Sequence, residues 1–361
     1  MTAFGTLLFA PIEPLVVPAP EWRPETPSVP GTALGPLAHA VRAGLGPAAA
    51  ALEAAMAGRA APDRAAIRDL TGRLGALVWP AAARILARAP ASPGVLKDWT
   101  EAGLPAGAHA PLARRVAALL RHAPRLRALA AASDDAADPP APDATRAEVR
   151  AILDDAAADG ADAWTMTLVM LLSHADRPGP VLQEALGAAA SRPGRILAAR
   201  ALDMVLAGME RRGDPLATAL SGSPPPARDL GAFARAMRRG ADLLDGAQDL
   251  DPDAAGRRRI DRIRHALGRA CQDRLEAGLA QELLARLRTA APAALEITAR
   301  DVARLAHAGR RLTAGRALDA PLMRAAVAIA SSGDGGALDR VDRARLIEIL
   351  AGPEQAMAAL A

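Results

Sequence analysis

Almost none of the apolar residues in this chain is aromatic: three Phe, four Trp and no Tyr stand among 361 residues of which 51% are apolar. Alanine and aliphatic side chains make up the rest. Aromatic and β-branched residues fit the pleated, half-buried surface of a sheet, so their scarcity argues against a sandwich or barrel. Ala, Leu, Arg and Glu are strong helix formers. The expectation is an all-α protein of antiparallel helical hairpins, stacked as an irregular bundle or a HEAT-like array, with an extended Pro-rich N-terminal segment. The length suits two domains or one elongated array.

The 44 basic and 40 acidic residues leave a formal charge of only +4, although the calculated pI is about 10.5. Lys97 is the sole lysine and tyrosine is absent, so few groups titrate between the thiol and the arginines. A small positive excess therefore persists far up the pH scale. Global charge gives no ground for a nucleic-acid or membrane binder. The single cysteine, Cys271, excludes an intramolecular disulfide framework and a multi-thiolate metal site, and suits a reducing, cytoplasmic setting. The N-terminus lacks the basic region of a secretory signal. The most continuous apolar run, AWTMTLVMLLS at residues 163–173, is shorter than the roughly 20 residues a membrane span needs and reads as a buried helix.

Eight prolines fall within residues 1–36, each removing a backbone donor and pushing its predecessor toward extended conformations. No helix is expected there. Phe4, Leu7, Leu8, Phe9, Ile12, Leu15, Val16 and Val17 give the segment much to bury, so it reads as a strap docked across the body. The alternative is a polyproline-type arm for a partner. Helical periodicity begins at Leu37 and marks an N-terminal domain over 37–132, in which Pro80 is expected to end or kink its helix and Pro124 to break the stretch 112–129. Residues 133–144 carry acids and prolines with no base and read as a linker. A helical array over 145–361 follows. Thr145 and Glu148 have capping-box spacing, residues 162–175 form an all-round apolar helix, and residues 253–289 form a long one. No fixed repeat period accompanies these hairpins, although a solenoid requires one.

Most chemical signatures are missing. The sequence contains no phosphate-cradling G-x-x-x-x-G-K-[ST], no G-x-S-x-G elbow, and no two histidines at a metal-ligand spacing. Neither a metal nor a cofactor is expected. The sharpest local feature is an arginine-rich helix, residues 257–274, with Ile260, Ile263, Leu267, Cys271 and Leu275 on one face. On another face Arg258, Arg262, His265 and Arg269 follow at helical spacing as a basic stripe able to track phosphates. Asp261, Asp273 and Glu276 partly neutralise it, and no aromatic interleaves to stack bases.

Glu148, Asp154, Asp155, Asp159 and Asp162 form an acidic set, either a divalent-cation site or a solvated helix end. Residues 331–336, SSGDGG, read as a flexible connection. Lys97, Asp98 and Trp99 cluster before a Pro/Gly-rich loop, and His174 follows the apolar helix. The leading functional expectation is a non-enzymatic interaction or scaffold protein whose helical surface binds a partner protein. Nucleic-acid or polyanion binding through Arg258, Arg262, His265 and Arg269 is the alternative. An enzyme with a dispersed site near Trp164 and His174 is the third.

Overall fold

The computed structural model describes residues 3–23, 25–57, 64–88, 97, 99–134, 142–175, 177–188, 192–211, 230–250, 253–313, 318–332 and 338–360. These are helical almost throughout, and helices pack on helices. The chain divides into two compact units, Met1–Gly208 and Met209–Ala361. The acidic segment 133–144 falls inside the first unit, and its residues 135–141 lie outside the described residues.

The N-terminal segment departs from a wholly extended strap. Helix α1 (Ala3–Phe9) winds ahead of the first proline, Pro11, where no ring obstructs it. A 3-10 turn (Ala10–Leu15) follows, then strand β1 (Val16–Val17), which pairs in parallel with β2 (Val29–Pro30) in the register Val16 to Val29. Phe4, Leu7, Leu8, Phe9, Ile12, Leu15 and Val29 are no more than 2% exposed. Each such side chain contributes about 1.5–3 kcal/mol by leaving water.

The remaining helices of this unit are α2 (Leu34–Leu45), α3 (Pro47–Ala57), α4 (Arg64–Arg88), α5 (Ala106–Asp134), α6 (Pro142–Ala158), α7 (Ala161–His174), α8 (Pro178–Ala188) and α9 (Arg192–Arg211), the last ending in the second unit. Neither Pro80 nor Pro124 ends its helix. Helix α4 runs through Pro80, and α5 runs through Pro111 and Pro124. Pro80 faces solvent, so the carbonyl deprived of its donor can turn to water. Helix α6 is already formed at Pro142, which places Thr145 inside its first turn rather than ahead of it. Gly160, at φ 109°, makes the turn into α7, whose residues 163–172 are all buried. Helix α7 packs against α5, α6, α8 and the 3-10 turn, so the run that is apolar all round lies at the centre of the unit.

Backbone carbonyls of the N-terminal segment are held by side chains of this body. Trp79 Nε1 donates to Leu7 O at 3.3 Å, and His174 Nε2 lies 2.9 Å from Pro11 O. Arg115 donates to Thr26 O at 3.0 Å and Arg200 to Glu25 O at 3.3 Å. Trp79 can reach Leu7 because its indole lies over Gly75, where an added Cβ would sit 2.3 Å from the ring.

The second unit contains α10 (Leu230–Gln248), α11 (Ala254–Ala277), α12 (Pro292–Thr313), α13 (Asp319–Ala330), α14 (Arg340–Ala351) and α15 (Pro353–Leu360). Helices α10, α11 and α12 pack mutually, α12 packs on α14, and α14 on α13 and α15. The long helix expected over 253–289 is α11 followed by a π-turn (Gly278–Leu283) and a 3-10 turn (Leu284–Arg286). Gly309 permits a close approach: an added Cβ would sit 2.3 Å from Leu318 Cδ1 and 3.2 Å from Cys271 Cβ.

Candidate interaction surface

Helix α11 starts where the Asp253 side chain accepts a hydrogen bond from Gly256 N at 2.7 Å, a side-chain cap on the first turn. Ile260, Ile263, Leu267, Cys271 and Leu275 are buried, and Arg258, Arg262, His265 and Arg269 are all exposed. The stripe is about 16 Å long at 1.5 Å per residue. Its charge is mixed. Asp261, Asp273 and Glu276 are exposed on the same helix, and Arg262 approaches Glu210 at 3.6 Å. Arg259 binds Glu210 at 2.7 Å, and that hydrogen bond holds the Glu210 carboxyl below the usual carboxylate range against the opposing effect of burial.

Two arginines of this helix turn inward. Arg264 Nη1 donates to Asp245 Oδ1 and to Arg311 O, each at 3.0 Å. Arg311 in turn binds Asp242 at 2.6 Å and Asp245 at 2.7 Å. Burial works against the Arg311 charge, but its hydrogen bonds to Asp245 and Asp242 prevail and raise its pKa above the ordinary arginine value. Arg274, 4% exposed, pairs with Glu282 of the π-turn at 2.5 Å. Positions 264 and 274 fall inside the arc of the apolar face by helical spacing, the one sign in the sequence that they differ from their exposed neighbours. Cys271 is fully buried among apolar side chains, and burial pushes its thiol up to about 12.

Arginines from α5 and α9 meet the acidic set at a solvated helix end, where Asp154, Asp155 and Asp159 are exposed. Arg125 binds Glu148 and Asp155, both at 2.6 Å, and Arg121 binds Asp159. Asp162 receives Arg115 at 3.2 Å and Arg200 at 3.8 Å. Among the described residues no group of His, Cys, Asp and Glu is arranged to hold a metal ion. His122, buried beside this ladder, has its pKa lowered first by desolvation and then by the Arg121 charge.

The remaining singled-out residues are packed or lie elsewhere. Trp164, on α7, is 8% exposed, and the His174 ring is tied to Pro11 O. Trp99 is buried against His109, with ring centroids 5.0 Å apart, and His109 Nε2 lies 3.0 Å from Leu104 O. Lys97 is exposed, 3.7 Å from Glu101, and Asp98 lies outside the described residues. A half-open cleft of about 250 Å³ is lined by Trp22, Pro30, Thr32 and Leu104 among others, without Trp164 or His174. Of residues 331–336, Ser331 and Ser332 donate back to carbonyls of α13, and 333–336 lie outside the described residues.

Among the described residues, large aliphatic side chains left in solvent are more numerous in the second unit. Ile297 on α12, Val327 on α13, Val341 on α14 and Met357 on α15 are each more than 60% exposed, and Met323 on α13 is 37% exposed. Leu77 and Ile196 are the corresponding residues described in the first unit. The sequence reading missed this surface by following only the inward periodicity of each helix. Its sign is the run DAPLMRAAVAIA, with two charges in twelve residues. No helix among the described residues is long and apolar enough to cross a membrane. No protein-family model, curated protein or solved structure matches the chain.

Proposed function

We propose that this chain is a non-enzymatic interaction protein that binds a partner protein on the helical surface of its second unit. The carrying observation is the solvent-facing set Ile297, Met323, Val327, Val341 and Met357. Single exposed apolar residues are ordinary on a soluble protein, whereas large aliphatics on four successive helices offer area that association would remove from water. The test is affinity capture from the native host, with and without nuclease, followed by hydrogen exchange on the purified complex. A stoichiometric, nuclease-resistant partner that protects α12, α13, α14 or α15 is the expected result. Protection confined to the first unit, or no protein partner at all, overturns the reading.

Polyanion binding is the second reading, favoured by the joint exposure of Arg258, Arg262, His265 and Arg269 and weakened by the acids among them. Nucleic acid that co-purifies and is released by salt or by Arg262→Glu with Arg269→Glu would install it instead.

A further inference from the structure

Helix α13 carries apolar side chains on both sides, yet only one side is covered. Leu318, just before it, and Pro321, Leu322, Ala325, Ala326 and Ile329 are buried against the unit. Ala320, Met323, Arg324, Val327, Ala328 and Ser331 are all exposed. These positions follow at i, i+3, i+4, i+7, i+8 and i+11, so they form one straight stripe about 16 Å long. A helix apolar all round ordinarily has neighbours all round. The stripe presents small residues at its ends, Ala320 and Ser331, and larger ones, Met323 and Val327, at its centre. Small residues let a second helix approach closely while larger ones interdigitate, which is the geometry of helix-on-helix packing.

The charges select the kind of helix. Arg324 is the only charged residue on the stripe and lies in its middle. A docked helix would cover Arg324, and a guanidinium taken out of water without a carboxylate partner opposes binding strongly. The covering helix must therefore bring an acid to that point.

We propose that the outer face of α13 is the docking site for an acidic amphipathic helix of a partner protein. The partner's apolar stripe covers Met323 and Val327, and one of its carboxylates pairs with Arg324. This rests on the interaction reading above and gives it a site and a partner chemistry.

The test uses the full chain and two fluorescent synthetic helices with the same leucine and alanine stripe, one bearing glutamate and the other lysine at its polar positions. Anisotropy titrations at low and moderate salt are expected to show binding of the glutamate helix only. Val327→Asp should weaken that binding at least tenfold. Arg324→Glu should weaken it comparably and admit the lysine helix. Both side chains are exposed, so unchanged circular dichroism and melting would confirm that the variants fold. Failure of the glutamate helix to bind, equal binding of both helices, or indifference to Val327→Asp overturns the proposal. A native partner that is still captured by Val327→Asp would remove this site while leaving the interaction reading standing. Absence of any native partner would remove that reading itself.

Discussion

The alkaline stability of the second unit should be governed by one thiol. Cys271 is fully buried, and its pKa is pushed from 9.0 to about 12 because apolar surroundings disfavour the thiolate. Above about pH 9 the unfolded chain releases this proton while the folded chain keeps it. The unfolded state then binds fewer protons, so stability falls as pH rises, by about 1.4 kcal/mol per pH unit until the folded thiol ionises. Between about pH 8 and pH 10.5 the loss comes to about 2 kcal/mol. Composition makes the measurement clean, because the chain has one cysteine, no tyrosine and one lysine to titrate in that interval. Urea midpoints of the wild type should fall over this range. Those of Cys271→Ala should start lower, since a packed side chain is truncated, and then decline by about 2 kcal/mol less. At about pH 8 the folded thiolate fraction is about one in ten thousand, so iodoacetamide should label the native protein only through unfolding and should label it readily in urea. Equal alkaline losses in the two proteins, or rapid native labelling, would refute the reasoning.

Four further outcomes follow from the packing. His122 has a lowered pKa, so below about pH 6.5 the unfolded chain takes up a proton the folded chain resists; stability should fall with acid, and His122→Gln should flatten the thermal-melt change between pH 7 and pH 5.5. Gly309→Ala drives a Cβ to 2.3 Å from Leu318 Cδ1 and should cost about 1–3 kcal/mol in urea unfolding, an unchanged midpoint counting against the close packing there. Trp79→Phe removes the donor to Leu7 O and should lower stability by about 1–2 kcal/mol, with earlier protease cleavage near α1; equal cleavage rates would show that this bond does not hold the segment. Arg311→Met strands the buried Asp242 carboxylate and should cost about 3 kcal/mol, part of which Asp242→Asn should restore in the double variant; strictly additive losses would contradict the coupling.

What was legible in the sequence was whatever depends on neighbours three or four residues apart. The inward faces of α7 and α11 fall at the expected positions, because burying a periodic apolar stripe outweighs most local preferences. The prolines do not end their helices for the same reason. Pro80 and Pro124 each cost a helix one hydrogen bond, and the helices they interrupt have enough packed surface to absorb it. The first seven residues of the described chain escape the proline rule because they precede Pro11.

Charge is where local pattern fails. An exposed arginine and a buried one are the same letter, and abundant arginine hides the few that matter. Arg125 meets Glu148 and Asp155 across 23 and 30 residues, and Arg311 meets Asp245 across 66, separations at which no spacing rule operates. The consequence for function runs in the same direction. Each acid drawn into such a pair is withdrawn from metal binding, and each arginine so used is withdrawn from phosphate recognition. Arg324 stands apart because a three-turn apolar stripe surrounds it and no carboxylate shares that stripe. A lone charge on a surface suited to burial sets a condition on whatever covers it, and a carboxylate placed on an amphipathic helix meets that condition.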